Sequence, residues 1–242
     1  MTGWIAIGNA GNGKVIVCAL RNGRLLNCIK EANEPAALER LGFDATRILR
    51  IGEGVPDKLP AAVLPEKSAT LPGMIQDNPP EVIGAWVRVC VAGFLAKNPG
   101  WDGIVCIVHS GVNHWMHVSA DEIVSCQGFL TPRLIAALKG RAAPDPQALA
   151  DSLSRPEKLA AHLRQAEITQ NKAAISGHLI GAELAAARPY WLGQQVTVMT
   201  ETRDPGYVKA LNAQGVSATA LETKNTLEAG LAAVGRVTGF CS

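Results

Sequence analysis

The 242-residue chain is nearly half apolar (48%) and carries a formal net charge of only +2, with acids and bases scattered rather than blocked. That balance leaves no electrostatic footprint for nucleic acid or a membrane surface and points to small molecules or other subunits as partners. The length accommodates one large domain or two modest lobes. The longest apolar runs are too short and too interrupted to span a bilayer, and the N-terminus shows no secretory pattern, so cytoplasmic operation is expected. Six cysteines, at 18, 28, 90, 106, 126 and 241, include no Cys-x-x-Cys pair, and reduced, buried thiols are expected.

The first element contains GNAGNGKV, from Gly8 to Val15, which almost spells a nucleotide-binding P-loop. Gly8, Gly13 and Lys14 fit the spacing, but Val15 stands where a hydroxyl should help hold magnesium, and the following KVIVCAL reads as a strand where a helix is required. The better reading is a meander: strand Trp4 to Ile7, glycine-rich turn Gly8 to Gly13, strand Lys14 to Leu20, the Asn22-Gly23 hairpin signal, and strand Arg24 to Ile29. Such a turn can still hold phosphate through successive backbone N–H groups, without Walker chemistry. A short helix is expected from Pro35 to Leu41 and a strand from Thr46 to Ile51. Gly52 to Pro80, rich in proline and glycine, reads as loop with short extended pieces. Prolines 79 and 80 then launch a helix from Glu81 to about Leu95, apolar nearly all round and suited to a core, a lobe interface or a subunit contact in a homo-oligomer.

Beyond Asn98-Pro99-Gly100 the pattern restarts. Gly103 to Val108 is a buried strand, HSGVN a turn, HWMHVS a second strand and Glu122 to Cys126 a third. A helix follows from Thr131-Pro132 to Leu138, then loop from Ala142 to Pro146, and helices from Pro156 to about Gln165 and from Lys172 to about Ala187. Val196 to Thr200 is a strand, Pro205 to Gln214 a helix, Ser217 to Leu221 a strand and Thr226 to Val234 a closing helix, an order that implies parallel pairing. Three antiparallel strands followed by alternating helices and strands, in approximate duplicate, is the organisation of the actin-like ATPase and sugar-kinase (ribonuclease H-like) scaffold. The expected fold is therefore α/β and two-lobed, each lobe a mixed sheet with helices. The lobes are expected at 1–98 and 99–242, with a ligand cleft near Asn98 to Trp101.

The motifs ISGHLIGAEL (175–184), VTVMTETRDPGYVKALNAQGVSATAL (196–221) and LEAGL (227–231) resemble those of the 2-keto-3-deoxygalactonokinase (2-dehydro-3-deoxygalactonokinase) family, and WIAI, VIGA at 82–85 and HSGVNHW at 109–115 extend the likeness in order along the chain. The chain is similar to a divergent, shortened member. The resemblance implies ATP-dependent phosphorylation of a sugar acid, 2-keto-3-deoxygalactonate, with ATP and Mg2+ as cofactors. It also implies where the family's polar groups fall. The aspartate after the first strand is Gly8, followed by Asn9 and Ala10. An Arg-Gly-Glu-Glu motif falls on Gln76, Asp77, Asn78 and Pro79, leaving Asp77 as the candidate general base. A Pro-Gly-Thr-His-x-Lys-Trp turn falls on Ser110 to Trp115, with Val112 for the threonine and His114 for the lysine. A Met-Thr-Gly-Glu-Leu pattern falls on Cys126 to Leu130 without its carboxylate, and a glycine falls on Glu201, whose charge would repel ATP phosphates. The candidate ligand- and phosphate-binding residues are Gly8, Gly11, Gly13, Gly111, Asn113 and His114. Two readings follow: a sugar-acid kinase with its phosphate and base motifs degraded, or a noncatalytic sugar-acid- or nucleotide-binding regulatory protein, a pseudokinase.

Rival chemistries carry less. His109, His114 and His117 lie within nine residues, but His114 and His117 fall on opposite sides of a strand with no acid or cysteine at ligand spacing, so no metal site is expected. His178 and Glu183 lie on different faces of one helix. No serine sits in a Gly-x-Ser-x-Gly elbow.

Overall fold

The computed structural model describes residues 3–11, 13–45, 47–65, 70–109, 111–201 and 204–240. The chain packs as two compact units, one formed by Met1–Trp101, Ser119–Ser125 and Thr223–Ser242, the other by Asp102–Val118 and Cys126–Glu222.

In the first unit, β1 (Gly3–Gly11), β2 (Lys14–Arg21), β3 (Arg24–Glu31), α1 (Glu34–Leu41) and β4 (Ile48–Ile51) form a sheet of order β3-β2-β1-β4 with its helix. The expected meander is present, and β4 adds parallel to β1. β1 runs on through the stretch read as a turn. Gly11 pairs with Lys14, and Gly13, just before β2, adopts φ +68. Both faces of this sheet are covered, which is why WIAI and VIVCAL are apolar at every position. Trp4, Ala6, Cys18 and Leu20 face one core, and Ile5, Ile7, Val17 and Ala19 face the other, where Ala37 and Leu41 of α1 meet them. α1 starts at Asn33, whose side chain accepts from the Ala36 N–H, and stops at Gly42 with φ +58.

Cys18 and Cys28 stand opposite each other on β2 and β3 and form a disulfide. This corrects the expectation of reduced thiols throughout. Cys106 is a buried free thiol.

The segment from 52 to 80 contains β5 (Asp57–Lys58), β6 (Ala61–Ala62) and β7 (Met74–Asp77). The next stretch corrects the predicted helix start: β8 (Pro80–Ile83) pairs antiparallel with β7, and α2 begins at Ala85 and ends at Lys97. Val82 and Ile83 are β-branched and extend the hairpin, and Pro80 sits at the strand's first position, where its missing N–H is tolerated. α2 crosses α9 (Lys224–Val237) at glycines. A Cβ on Gly93 would fall 1.9 Å from the Thr226 carbonyl oxygen, and one on Gly230 would fall 2.0 Å from that of Val89.

β9 (Gly103–Val108), β10 (Asn113–Ser119), β11 (Glu122–Phe129), β12 (Val196–Thr200) and β13 (Ala218–Glu222) form, with β6, a sheet of order β13-β12-β9-β10-β11-β6; β9, β12, β13 and the C-terminal half of β11 belong to the second unit, whereas Glu122 and Ile123 of β11 pair with β6 within the first. β9, β12 and β13 are parallel, as the alternation of strand and helix implied, and β10 is antiparallel to β9. The helices are α3 (Thr131–Ala137), α4 (Pro146–Ser154), α5 (Leu159–Ile168), α6 (Lys172–Ala186), α7 (Arg188–Trp191) and α8 (Tyr207–Ala213). α4 was not expected. Asp145 caps it by accepting from the Gln147 and Ala148 N–H groups, with Pro146 in its first turn. Gly177 and Gly181 of α6 let α4 lie against it, since Cβ atoms there would approach the Asp145 and Leu149 carbonyl oxygens to 2.4 and 2.2 Å.

Candidate functional site

The carboxyl ends of the three parallel strands of the second unit are level: Thr200 pairs with Val108 on one side and with Glu222 on the other. Ligands of α/β sheets bind outside such an edge, where the loops gather. The loop after β9 carries His109, Gly111 and Val112, and the loop after β12 carries Glu201 and Asp204. His109 Nε2 lies 3.1 Å from Glu201 Oε1. The carboxylate expected to repel phosphates therefore has an imidazole nitrogen against it.

Beneath the loop lies a buried polar cluster that the sequence did not reveal. Asn113, the first residue of β10, accepts from the His109 N–H through its side-chain oxygen (3.2 Å), closing the turn. Its Nδ2 donates to Glu183 (3.0 Å to Oε2) and to Tyr207 Oη (2.8 Å). Trp115 Nε1 donates to Glu183 Oε1 at 2.9 Å, the Tyr207 hydroxyl donates to Oε2 at 2.9 Å, and the Thr131 side chain adds a fourth group. Glu183, only 3% exposed, thus ties β10, α3, α6 and α8 together. Burial pushes its carboxyl group above the usual range, and the four side-chain hydrogen bonds work against that shift. Burial, reinforced by the Glu183 charge, holds the Tyr207 hydroxyl well above its ordinary value. Such an arrangement holds a loop in one shape. Neither group is free to exchange protons with a ligand while all its bonds are made.

Asp204 accepts from the Tyr207 and Val208 N–H groups (3.0 and 3.1 Å) and so starts α8, after Gly206 at φ +117. Beside it is an open cavity of about 600 Å³ whose walls include Pro146, Leu149, Asp204, Gly206, Lys209 and Ala213. The walls are mostly apolar, with Asp204 and Lys209 supplying charge, a composition suited to a planar organic group carrying polar substituents.

The sequence-predicted residues fall as follows. Gly111 and Asn113 share the loop after β9, and Asn113 acts there as a buried brace. His114 is buried on β10. Gly8, Gly11 and Gly13 lie along the β1–β2 hairpin of the first unit. Gly8 pairs with Ile51 of β4, and a Cβ on it would lie 2.1 Å from the Ile51 carbonyl oxygen. Asp77 ends β7, is exposed, and forms an ion pair with Lys58. The first unit has its own buried charge. Arg88 of α2 donates from Nε to the Val63 carbonyl (2.7 Å), from Nη1 to that of Pro72 (3.0 Å) and from Nη2 to that of Ala62 (2.9 Å), and meets Asp57 at 2.7 Å. Burial lowers its pKa, with Asp57 opposing.

The magnesium that the resemblance implies does not fit the residues of this hairpin. The position of the expected carboxylate has no room for any side chain, and among the described residues no group of three or more His, Cys, Asp or Glu is placed to hold a metal ion.

The family model of 2-keto-3-deoxy-galactonokinase matches residues 140–234. That match takes in all the walls of the 600 Å³ cavity, Glu183, Glu201 and Tyr207, and leaves out Gly8, Asp77 and the loop after β9. None of the curated proteins matches the chain. Among solved structures, a proposed 2-dehydro-3-deoxygalactonokinase of Sinorhizobium meliloti superposes with a TM-score of 0.79 at 18% identity, over 98% of each chain. The activator of 2-hydroxyisocaproyl-CoA dehydratase from Clostridium difficile, solved with bound ADPNP, gives a TM-score of 0.51 at 10% identity, over 99% of this chain and 96% of that one. Component A of (R)-2-hydroxyglutaryl-CoA dehydratase from Acidaminococcus fermentans gives 0.50 at 12% identity, over 98% of each. The fold is that of the actin-like ATPases and sugar kinases. The resemblance to the 2-keto-3-deoxygalactonokinases thus rests on sequence from 140 to 234 and on fold elsewhere.

Proposed function

We propose that the protein is a sugar-acid kinase relative that binds a sugar acid such as 2-keto-3-deoxygalactonate, or a nucleotide, through the lobes it shares with the 2-keto-3-deoxygalactonokinases. One observation carries this reading: the family match encloses the whole wall of the cavity beside Asp204 together with the helices that support it. The lobe boundary at 98/99 and operation in the cytoplasm belong to the same proposal. No helix among the described residues is long and apolar enough to cross a membrane. In a reducing cytoplasm Cys18 and Cys28 would stand as two thiols.

A second reading is favoured by a separate observation. The contact between Gly8 and the Ile51 carbonyl turns the position of the family's aspartate into a packing position, which supports a pseudokinase that keeps binding and has lost phosphoryl transfer. Phosphoryl transfer depends on positioning and charge stabilisation, so loss of such a group lowers turnover steeply. Calorimetric titration with ATP and with 2-keto-3-deoxygalactonate, followed by a coupled phosphorylation assay on the same sample, separates the two. Saturable binding with no ADP release identifies the pseudokinase. ADP release at about 1–100 s⁻¹, the ordinary range for kinases, identifies a working enzyme. Binding of neither ligand rejects both readings.

A further inference from the structure

Gly111 is not required by the fold. Its φ lies outside the left-handed region, and a Cβ built on it meets only the Arg133 guanidinium, with Nη2 at 3.9 Å. This contrasts with Gly8, Gly93, Gly177 and Gly230, where a Cβ would strike backbone. A side chain at 111 would stand in ordinary contact with Nη2, and its absence leaves that nitrogen uncovered on the loop side.

Arg133 itself is exposed and makes no ion pair or hydrogen bond with another described residue. The start of the helix that carries it is held. Thr131, two residues before it, bonds the buried Glu183 carboxylate, and the same carboxylate holds Asn113, which closes the turn through the His109 N–H. One buried carboxylate therefore positions both the loop at the strand edge and the start of the helix that carries the arginine. His109 lies on that same loop, against Glu201. The strand cannot supply the cation, since His114 is buried within β10.

Resting on the reading of this edge as a ligand site, we propose that Arg133, over the bare backbone of Gly111, binds an oxyanion of the ligand: a phosphate of a nucleotide or the carboxylate of a sugar acid. A guanidinium presents paired N–H donors that match either group, which a lysine cannot reproduce.

The test measures dissociation constants of the full-length protein and its Arg133→Gln, Arg133→Lys and Gly111→Ala variants for ADP, adenosine and 2-keto-3-deoxygalactonate. Arg133→Gln is expected to weaken binding of one anionic ligand at least tenfold and to leave adenosine unchanged, with Arg133→Lys only partly restoring affinity. Loss confined to ADP assigns a phosphate, and loss confined to the sugar acid assigns a carboxylate. Gly111→Ala is expected to fold with wild-type stability and still weaken the same ligand, because its methyl group stands against Nη2. Unchanged constants in Arg133→Gln, with the wild type binding, overturn this inference and leave the proposed function standing. If the wild type binds none of these ligands, the proposed function falls. Titration with inorganic phosphate, read at the Gly111 amide resonance, then decides alone: a saturable shift lost in Arg133→Gln supports the oxyanion subsite, and no shift overturns it.

Discussion

Replacing Gly8 by alanine puts one methyl carbon 2.1 Å from the Ile51 carbonyl oxygen, so β1 and β4 have to separate by about 1 Å to reach ordinary contact. Ile51 cannot yield cheaply. It pairs with Gly8 on one side and bridges Leu71 on the other, the Gly52 N–H donates to the Leu71 carbonyl at 2.7 Å, and its own side chain belongs to a buried core. Overpacking of this kind costs about 1–3 kcal/mol, and a strained or lost ladder hydrogen bond adds about 1 kcal/mol. Gly8→Ala should therefore destabilise by about 2–4 kcal/mol. Gly8→Asp should cost more, because a carboxylate in that gap has no partner. Urea unfolding gives the number directly: a lower midpoint with an unchanged slope reports stability alone. A Gly8→Ala midpoint within about 0.5 kcal/mol of wild type would refute the contact. So would a Gly8→Asp protein that folds normally and releases ADP from ATP and the sugar acid, since it would show that the hairpin can still accept the aspartate.

Glu183→Gln replaces one acceptor oxygen by a donor in a ring of donors, so either Trp115 or Tyr207 loses its partner. A loss of about 2–4 kcal/mol is expected by urea unfolding, with a change in the near-ultraviolet signal of Trp115, and wild-type stability would show that the carboxylate is not the brace. His178 is buried, stacked at 4.6 Å on His162, and joined through Ser152 Oγ (2.9 and 3.0 Å to the two Nδ1 atoms), with Asp145 and Asp151 facing it. Burial, then the His162 charge, lowers its pKa from 6.5, so the unfolded chain binds a proton more readily than the folded one. Stability is complete above pH 6.5 and falls as the pH drops below it toward the folded value. The unfolding midpoint should fall over that interval less steeply in His178→Gln than in wild type, and equal slopes would count against the assignment. Gly230→Ala should cost at least about 2 kcal/mol because its Cβ strikes the Val89 carbonyl, whereas Gly84→Ala, with open space around it, should stay within about 0.5 kcal/mol. Equal effects would show that the α2–α9 crossing is not glycine-dependent.

Much of the fold was legible because it is written in apolar periodicity and turn chemistry. Asn22-Gly23 and the runs on either side specify the β2–β3 hairpin, and the alternation after residue 170 specifies the parallel strands β12 and β13. The disulfide was not legible for a definable reason. From the turn, Arg21 faces Arg24 and Leu20 faces Leu25, a register that would set Cys18 opposite Asn27. An irregularity between Ala19 and Leu20 shifts the pairing by one and brings Cys28 opposite instead. The start of α2 was misplaced because a proline pair fits a helix start and a hairpin equally well, and only the partner strand Met74–Asp77 decides.

The polar braces were missed for a different reason, and their signal was present. Arg88 sits in GAWVRVCVAGFLA and Glu183 in ISGHLIGAELAAA, each a single charge deep within an otherwise apolar helix. A lone charge there cannot be exposed without exposing its apolar neighbours as well, so it has to be buried and supplied with hydrogen-bonding partners. Arg88 meets this requirement with backbone carbonyls of the connecting segment, and Glu183 with side chains from β10, α3 and α8. The consequence for function follows from where those partners lie. Asn113 was read as a ligand contact because it occupies a motif position, yet its side-chain donors are already committed to Glu183 and Tyr207. A group committed in this way braces the loop from within, which is why the proposed oxyanion contact falls to the exposed Arg133 and not to Asn113.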